Sequence, residues 1–165
     1  MLLLTLFVFD HAAWNTSLQA YVTPAGVDYA ALGPTGLDAY LKTLETADVG
    51  AMSRDEQMAF WINAYNALTL DLIAENPGIS SIRDLDEGNP WMARRFPVAG
   101  TSLTLDAIEH QILRPMGDAR IHAAINCASK GCPPLVNTAF TAQQLDAQLE
   151  AASRNWVRTN AVRIE

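Results

Sequence analysis

From Arg54 to Glu75 apolar side chains point in nearly every direction of a helical projection, among them Met58, Phe60, Trp61, Ile62, Tyr65, Leu68, Leu70, Leu72 and Ile73. A surface helix keeps a polar face, so a helix that is apolar all round has to be the buried axis of its domain. Its ends are written locally. Ser53 followed three residues later by Glu56 is a capping box, in which each side chain satisfies an N–H of the other residue. Asn76-Pro77-Gly78 stops the helix. The rest of the chain must then wall in this rod, which makes its polar residues informative. Glu56, Asn63 and Asn66, at spacings of seven and three, lie along one side. A buried amide there must find partners or cost about 1–3 kcal/mol.

The walls can be read from the same periodicities. Trp14, Leu18 and Tyr21 form the stripe of a first helix that Pro24-Ala25-Gly26 stops, and Leu37, Tyr40, Leu41 and Leu44 form a second after Gly33-Pro34. Phe96 to Leu105 reads as a hairpin turning at Ala99-Gly100. Thr104 caps a short helix, Leu105 to Leu113, which Pro115 closes. Residues 120–126 read as a buried strand. Thr141 with Gln144 reads as a second capping box, ahead of a last helix with Leu145, Leu149, Ala152 and Trp156 as its core stripe. The expected fold class is α+β with helices dominant: a buried central helix packed on a small antiparallel sheet, with helices around it.

The chain of 165 residues shows no linker or repeat and fits one domain. A formal charge of −7 argues against nucleic acid, which needs a basic face, and no Gly-rich loop precedes a helix to cradle phosphate. Met1–Phe9 is apolar and too short to span a bilayer. It reads as the remnant of a signal-peptide core, or else as a buried N-terminal element, leaving residues 10–165 as the domain. The first reading places the protein in the periplasm or outside the cell. No other segment suggests a membrane span, and no cofactor is implied.

Chemistry concentrates between Arg120 and Pro134, where one of three histidines and both cysteines precede a sharp Gly-Pro break. Cys127 is the first candidate nucleophile, because thiolate chemistry needs a cysteine beside a base and near N–H donors, and Lys130 would lower its pKa. Cys127 and Cys132 can equally be a disulfide staple in an exported protein. On an ideal strand His122 and Asn126 share a face that Cys127 does not, so a bulge or strand end is needed to join the thiol to the imidazole. Glu109 sits beside an apolar stripe, where it can orient an imidazole or act as a base; His110 follows it and fits a solvated face as well. Glu109, His110, His122 and the two cysteines lack any recognised metal-ligand spacing, so no metal is assigned. The candidate catalytic set is Cys127, His122, His110 and Glu109. The candidate substrate-binding set is Asn63, Asn66, Glu56, Asn126 and Lys130.

Three blocks in this order, Glu56 to Thr69, Leu105 to His110 and His122 to Pro134, together with Val27-Asp28-Tyr29, resemble the DUF547 family. The resemblance covers nearly the whole chain from Asp10. It implies an export signal and a fold similar to papain-like and transglutaminase-like thiol enzymes, with a thiolate oriented by imidazole and by a carboxylate or amide. It also implies a small peptide or a glutathione-like thiol as ligand. The family pattern continues past Ile164 into another strand, so its C-terminal end is expected to be missing here. In papain-like enzymes the nucleophile begins the central helix, where this chain has Glu56 and Gln57, which weighs against a plain protease. Two functions follow: an exported thiol-dependent enzyme or small-thiol-binding domain, whose chemistry at Cys127 would be acyl transfer, amide hydrolysis or thiol exchange, or a non-catalytic peptide- or protein-binding module stapled by Cys127 and Cys132.

Overall fold

The computed structural model describes residues 8–129 and 131–159. The signal-peptide reading therefore lies outside the described residues, except at Val8 and Phe9. Helix α1 (Ala12–Tyr21) runs into a minimal hairpin, β1 (Val22–Thr23) with β2 (Gly26–Val27). Asp28 then caps a single turn, α2 (Tyr29–Leu32), by accepting the Ala31 N–H at 3.0 Å. Helix α3 (Asp38–Glu45) leads to the long α4 (Arg54–Ala74). Beyond it come α5 (Pro90–Ala93), the antiparallel hairpin β3 (Phe96–Val98) with β4 (Thr101–Leu103), α6 (Leu105–Ala107), α7 (Ile121–Ala124) and α8 (Leu145–Thr159). The molecule is mixed α+β, with two small two-stranded antiparallel sheets and helices dominant.

Helix α4 is the axis. Every residue from Met58 to Leu72 is buried, whichever way its side chain points. Its capping box forms as expected, with Ser53 N–H donating to Glu56 Oε2 at 2.8 Å and Glu56 N–H donating to Ser53 Oγ at 3.4 Å. Hydrogen bonding from the Ser53 side chain first, then from its N–H, holds the Glu56 carboxyl below its usual range. Helices α2, α3 and α6 pack on the rod, and the β3–β4 hairpin adds Val98 to the core. Both residues of its Ala99-Gly100 turn have positive φ, 51° and 71°, the backbone twist that suits a tight two-residue hairpin.

The buried amides on α4 do find partners. Asn63 Oδ1 accepts the Trp14 indole N–H at 3.2 Å and the Phe140 N–H at 3.0 Å, while its Nδ2 donates to the Phe140 carbonyl at 2.8 Å. Asn66 Oδ1 accepts the Asn126 N–H at 2.8 Å and Nδ2 donates to the Ala124 carbonyl at 2.9 Å. Each amide thus stands in for the neighbouring strand that an irregular segment lacks.

Two expectations fail here. Residues 120–126 are not a strand: Ile121–Ala124 makes one helical turn, with extended Ile125 following it. The Ala123-Ala124 pair favours helix, and Asp118 starts the turn by accepting the Arg120 N–H at 3.0 Å. Thr141 makes no capping box with Gln144. Gln148 takes that place, accepting the Thr141 N–H at 2.9 Å and donating to the Ala139 carbonyl at 2.8 Å. The β1–β2 hairpin and α2 are additions that periodicity cannot reveal in elements of two to four residues.

Replacing Asn63 by Leu orphans the Trp14 indole N–H and both main-chain groups of Phe140, so urea denaturation should show a loss of about 2–5 kcal/mol. A loss below about 1 kcal/mol would mean that the bonds are dispensable. His11, bonded through Nδ1 to the Tyr40 hydroxyl at 2.8 Å, is pushed down by burial from 6.5 to about 4, with Asp10 partly offsetting the shift. The unfolded chain then takes up this proton first, so the stability tied to His11 is complete above pH 6.5 and drains away as pH falls toward 4. Urea midpoints across that window should fall more steeply in the parent than in His11→Gln, by up to about 3 kcal/mol. Parallel slopes would contradict the burial of a neutral imidazole.

Candidate functional site

The loop after α7 is built around Asn126. Its Oδ1 accepts the Ala128 N–H at 2.8 Å, which fits the left-handed φ of 57° at Ala128, and its Nδ2 donates to the Pro133 carbonyl at 2.8 Å. With Asn66 gripping the peptide just before Cys127, both ends of the loop are fixed. Cys127 and Cys132 are joined as a disulfide across it. The Cys127 N–H donates to Cys132 Sγ at 3.2 Å, and Ser129 Oγ lies 3.2 Å from Cys132 Sγ and 3.4 Å from Cys127 Sγ. Lys130 lies outside the described residues.

A second cluster comes from α6 and its continuation. Thr104 caps α6 by accepting the Ala107 N–H at 3.0 Å, as the sequence suggests, but the helix then widens into a π-helical stretch, Ile108–Leu113. Such stretches concentrate at functional sites because they rotate side chains out of the regular helical register. Glu109 lies in this stretch with its side chain 19% exposed. Its Oε1 is 3.3 Å from Arg114 Nη2, 3.7 Å from His122 Nδ1 and 4.0 Å from His110 Nε2. His110 Nε2 also lies 3.5 Å from Asp106 Oδ1, one helical turn earlier. The two imidazoles are at ion-pair rather than hydrogen-bond range of these carboxylates. Beneath them Tyr65 of α4 is buried, and burial first, then Glu109 and Asp106, raises its hydroxyl well above the usual range.

Cys127 and the acid–imidazole cluster meet in one cleft of about 300 Å³, whose lining includes Ser129, Tyr65, Asp106, Glu109 and His110 together with Arg83 and Trp91. The volume suits a small ligand. Arg83 lies over the Trp91 ring, 5.7 Å from its centre. The Trp91 indole N–H is buried with no hydrogen-bond partner among the described residues, a donor left for something else to use. Cys132 lines a separate cleft with Asn126 and Pro133. The two cysteines of the disulfide thus line different clefts.

Of the residues singled out from the sequence, Cys127, Glu109 and His110 line the cleft together, and His122 reaches it through Glu109. Because residues 121–124 are helical, His122 and Asn126 do not share a strand face; the imidazole turns to Glu109 and the amide to its own loop. The carboxamides of Asn63, Asn66 and Asn126 are engaged by main chain, so they position the site. Glu56 belongs to the α4 cap and borders a larger cleft of about 670 Å³ beside His11. Asp106, Tyr65, Ser129, Arg83 and Trp91 were not anticipated. The i, i+4 spacing of Asp106 and His110 was legible, whereas Arg83 and Trp91 come from an aperiodic stretch that gives no signal. Among the described residues no three His, Cys, Asp or Glu side chains converge as metal ligands would.

No curated protein and no solved structure matches the chain. The model of one family, described as a protein of unknown function, DUF547, matches residues 49–157, a span that takes in α4, the Glu109 cluster and the Cys127 loop. The chain belongs to the DUF547 family.

Proposed function

We propose that the Cys127 cleft is a thiol–disulfide exchange site for a small thiol peptide of the glutathione type, in a protein working in the periplasm or outside the cell. One observation carries the reading: Cys127 of a disulfide shares a cleft with His110 and Glu109, while its partner sulfur on Cys132 already receives an N–H. An incoming thiol gives its proton to His110, which Asp106 and Glu109 hold in place. Its thiolate bonds to Cys127 Sγ as the Cys127–Cys132 bond breaks, and the electron pair stays on Cys132 Sγ. There the Cys127 N–H and the Ser129 hydroxyl stabilise the leaving thiolate, which speeds exchange. A second thiol attacks the mixed disulfide, releasing the oxidised small thiol and leaving the protein as a dithiol.

The cleft walls fit such a ligand. Arg83 and the unpartnered Trp91 N–H suit a carboxylate, and Asp106 with Glu109 suits an ammonium group. A disulfide also accords with an oxidising compartment. We read buried α4 beside an imidazole-bearing segment as the counterpart of a papain-like scaffold, with the sulfur placed after α7 instead of at the start of α4. The bracing of the loop by Asn126 supports the rival reading, a binding module in which the disulfide is a staple only.

Stopped-flow exchange with reduced glutathione separates the two. His110→Ala and Glu109→Gln should slow reduction of the folded protein's disulfide by about 10–100-fold at unchanged melting temperature. A disulfide inert until the protein unfolds would support the staple. In Cys132→Ser, which frees one thiol, iodoacetamide should label Cys127 with a midpoint below the free value of about 8.5, and adding His110→Ala should raise that midpoint. An unperturbed midpoint in both proteins would remove the imidazole from the chemistry.

A further inference from the structure

A cleft of about 440 Å³ lies between α3, the C-terminal half of α4 and β3, and shares no lining residue with the Cys127 cleft. Into it faces Asp71, the one acidic residue in the run of α4 that is buried throughout, and only 8% exposed. The other polar side chains on that run, Asn63, Asn66 and Thr69, each bond to main chain. The Asp71 carboxylate, unlike its main chain, has neither a hydrogen bond nor an ion pair among the described residues. Its oxygens are not wholly shut off from the cleft, yet a carboxylate on so buried a residue with no protein partner is costly. Burial, with Glu75 and Asp38 nearby, pushes its carboxyl up to about 7.

The remaining charges of the cleft sharpen the asymmetry. Asp38 and Glu75, both exposed, are also without ion pairs among the described residues. Each lining cation is engaged with a different oxygen: Lys42 with Glu45 at 3.5 Å, Arg94 with Asp86 at 2.6 Å, and Arg95 with the Ser102 carbonyl at 2.9 Å. The floor is apolar, with Leu68 and Leu72 of α4 and Phe96 of β3. The carboxylates do not converge as metal ligands would. From the unpartnered buried carboxylate, the free acidic rim and the apolar floor we infer that this cleft binds a protonated primary amine on a short aliphatic stem. The ammonium pairs with Asp71, and the stem lies on Leu68, Leu72 and Phe96. A free alkylamine and a lysine side chain of a peptide share this chemistry.

The test is an NMR titration of the intact protein with n-butylammonium chloride and, separately, with lysine blocked at both backbone ends, each against sodium chloride at equal ionic strength. The Asp71 carboxyl carbon reports the ion pair and the Leu68 and Leu72 methyls report the stem. Saturable shifts at all three, with binding at least about tenfold weaker in Asp71→Asn, are expected. Response to butylammonium alone assigns the site to free amines, and response to blocked lysine as well assigns it to lysine side chains. Asp71→Asn removes an unpaired buried acid and should fold; should it not, the parent's titration stands alone. No saturable shift with either probe, or equal affinity in a folded Asp71→Asn, overturns the inference.

Discussion

Two carboxamides on a buried helix hold this molecule together in places where regular secondary structure does not reach. Among the described residues the strands are two or three residues long, and no broad sheet supplies hydrogen bonds to the chain around α4. Asn63 and Asn66 supply them, one to the Phe140 peptide and the Trp14 indole, the other to the peptides flanking Ile125. An amide offers both a donor and an acceptor, which is why asparagine can pair with a peptide at two points and an apolar residue cannot. The consequence for the site is direct. Asn66 fixes the backbone one residue before Cys127, so the sulfur is placed by the most deeply buried element of the fold.

Much of this was legible from residue patterns, and the failures have physical causes. The α4 capping box, the hairpin turn at Ala99-Gly100 and the Thr104 cap were readable because each depends on local chemistry that no distant contact overrides. The stretch from Ile121 to Ile125 misled because a short apolar run has no period of its own, and its helical turn is settled by Asp118 at one end and Asn66 at the other. Gln148 replaced Gln144 at the start of α8 for a similar reason: a long side chain from the next turn of helix can reach what the nearer one does not. The buried amides stood out from the sequence as residues needing partners. Which partners they take was not visible, since the main-chain ones lie 58 to 77 positions further along and the Trp14 indole lies 49 positions back.

The site gathers opposed charges around one carboxylate. Glu109 sits between Arg114, His122 and His110, with Asp106 adding a second acid near the same His110 nitrogen. Both imidazoles are thereby kept beside carboxylates at the edge of the cleft. The same cleft also holds the Arg83 guanidinium, stacked over the Trp91 ring. The exchange proposed for this cleft has a direction, with attack at Cys127, which lines the cleft with His110, and departure at Cys132, whose sulfur lies within reach of the Cys127 N–H and the Ser129 hydroxyl.

That direction is the claim on which the functional account rests, and it can be read from one peptide map. The folded, oxidised protein is treated with a limiting amount of glutathione, quenched in acid and digested, and the sulfur carrying the small thiol is located by mass spectrometry. The account predicts the adduct on Cys127 with Cys132 free. An adduct on Cys132, or one that forms only after the protein is unfolded, would contradict it.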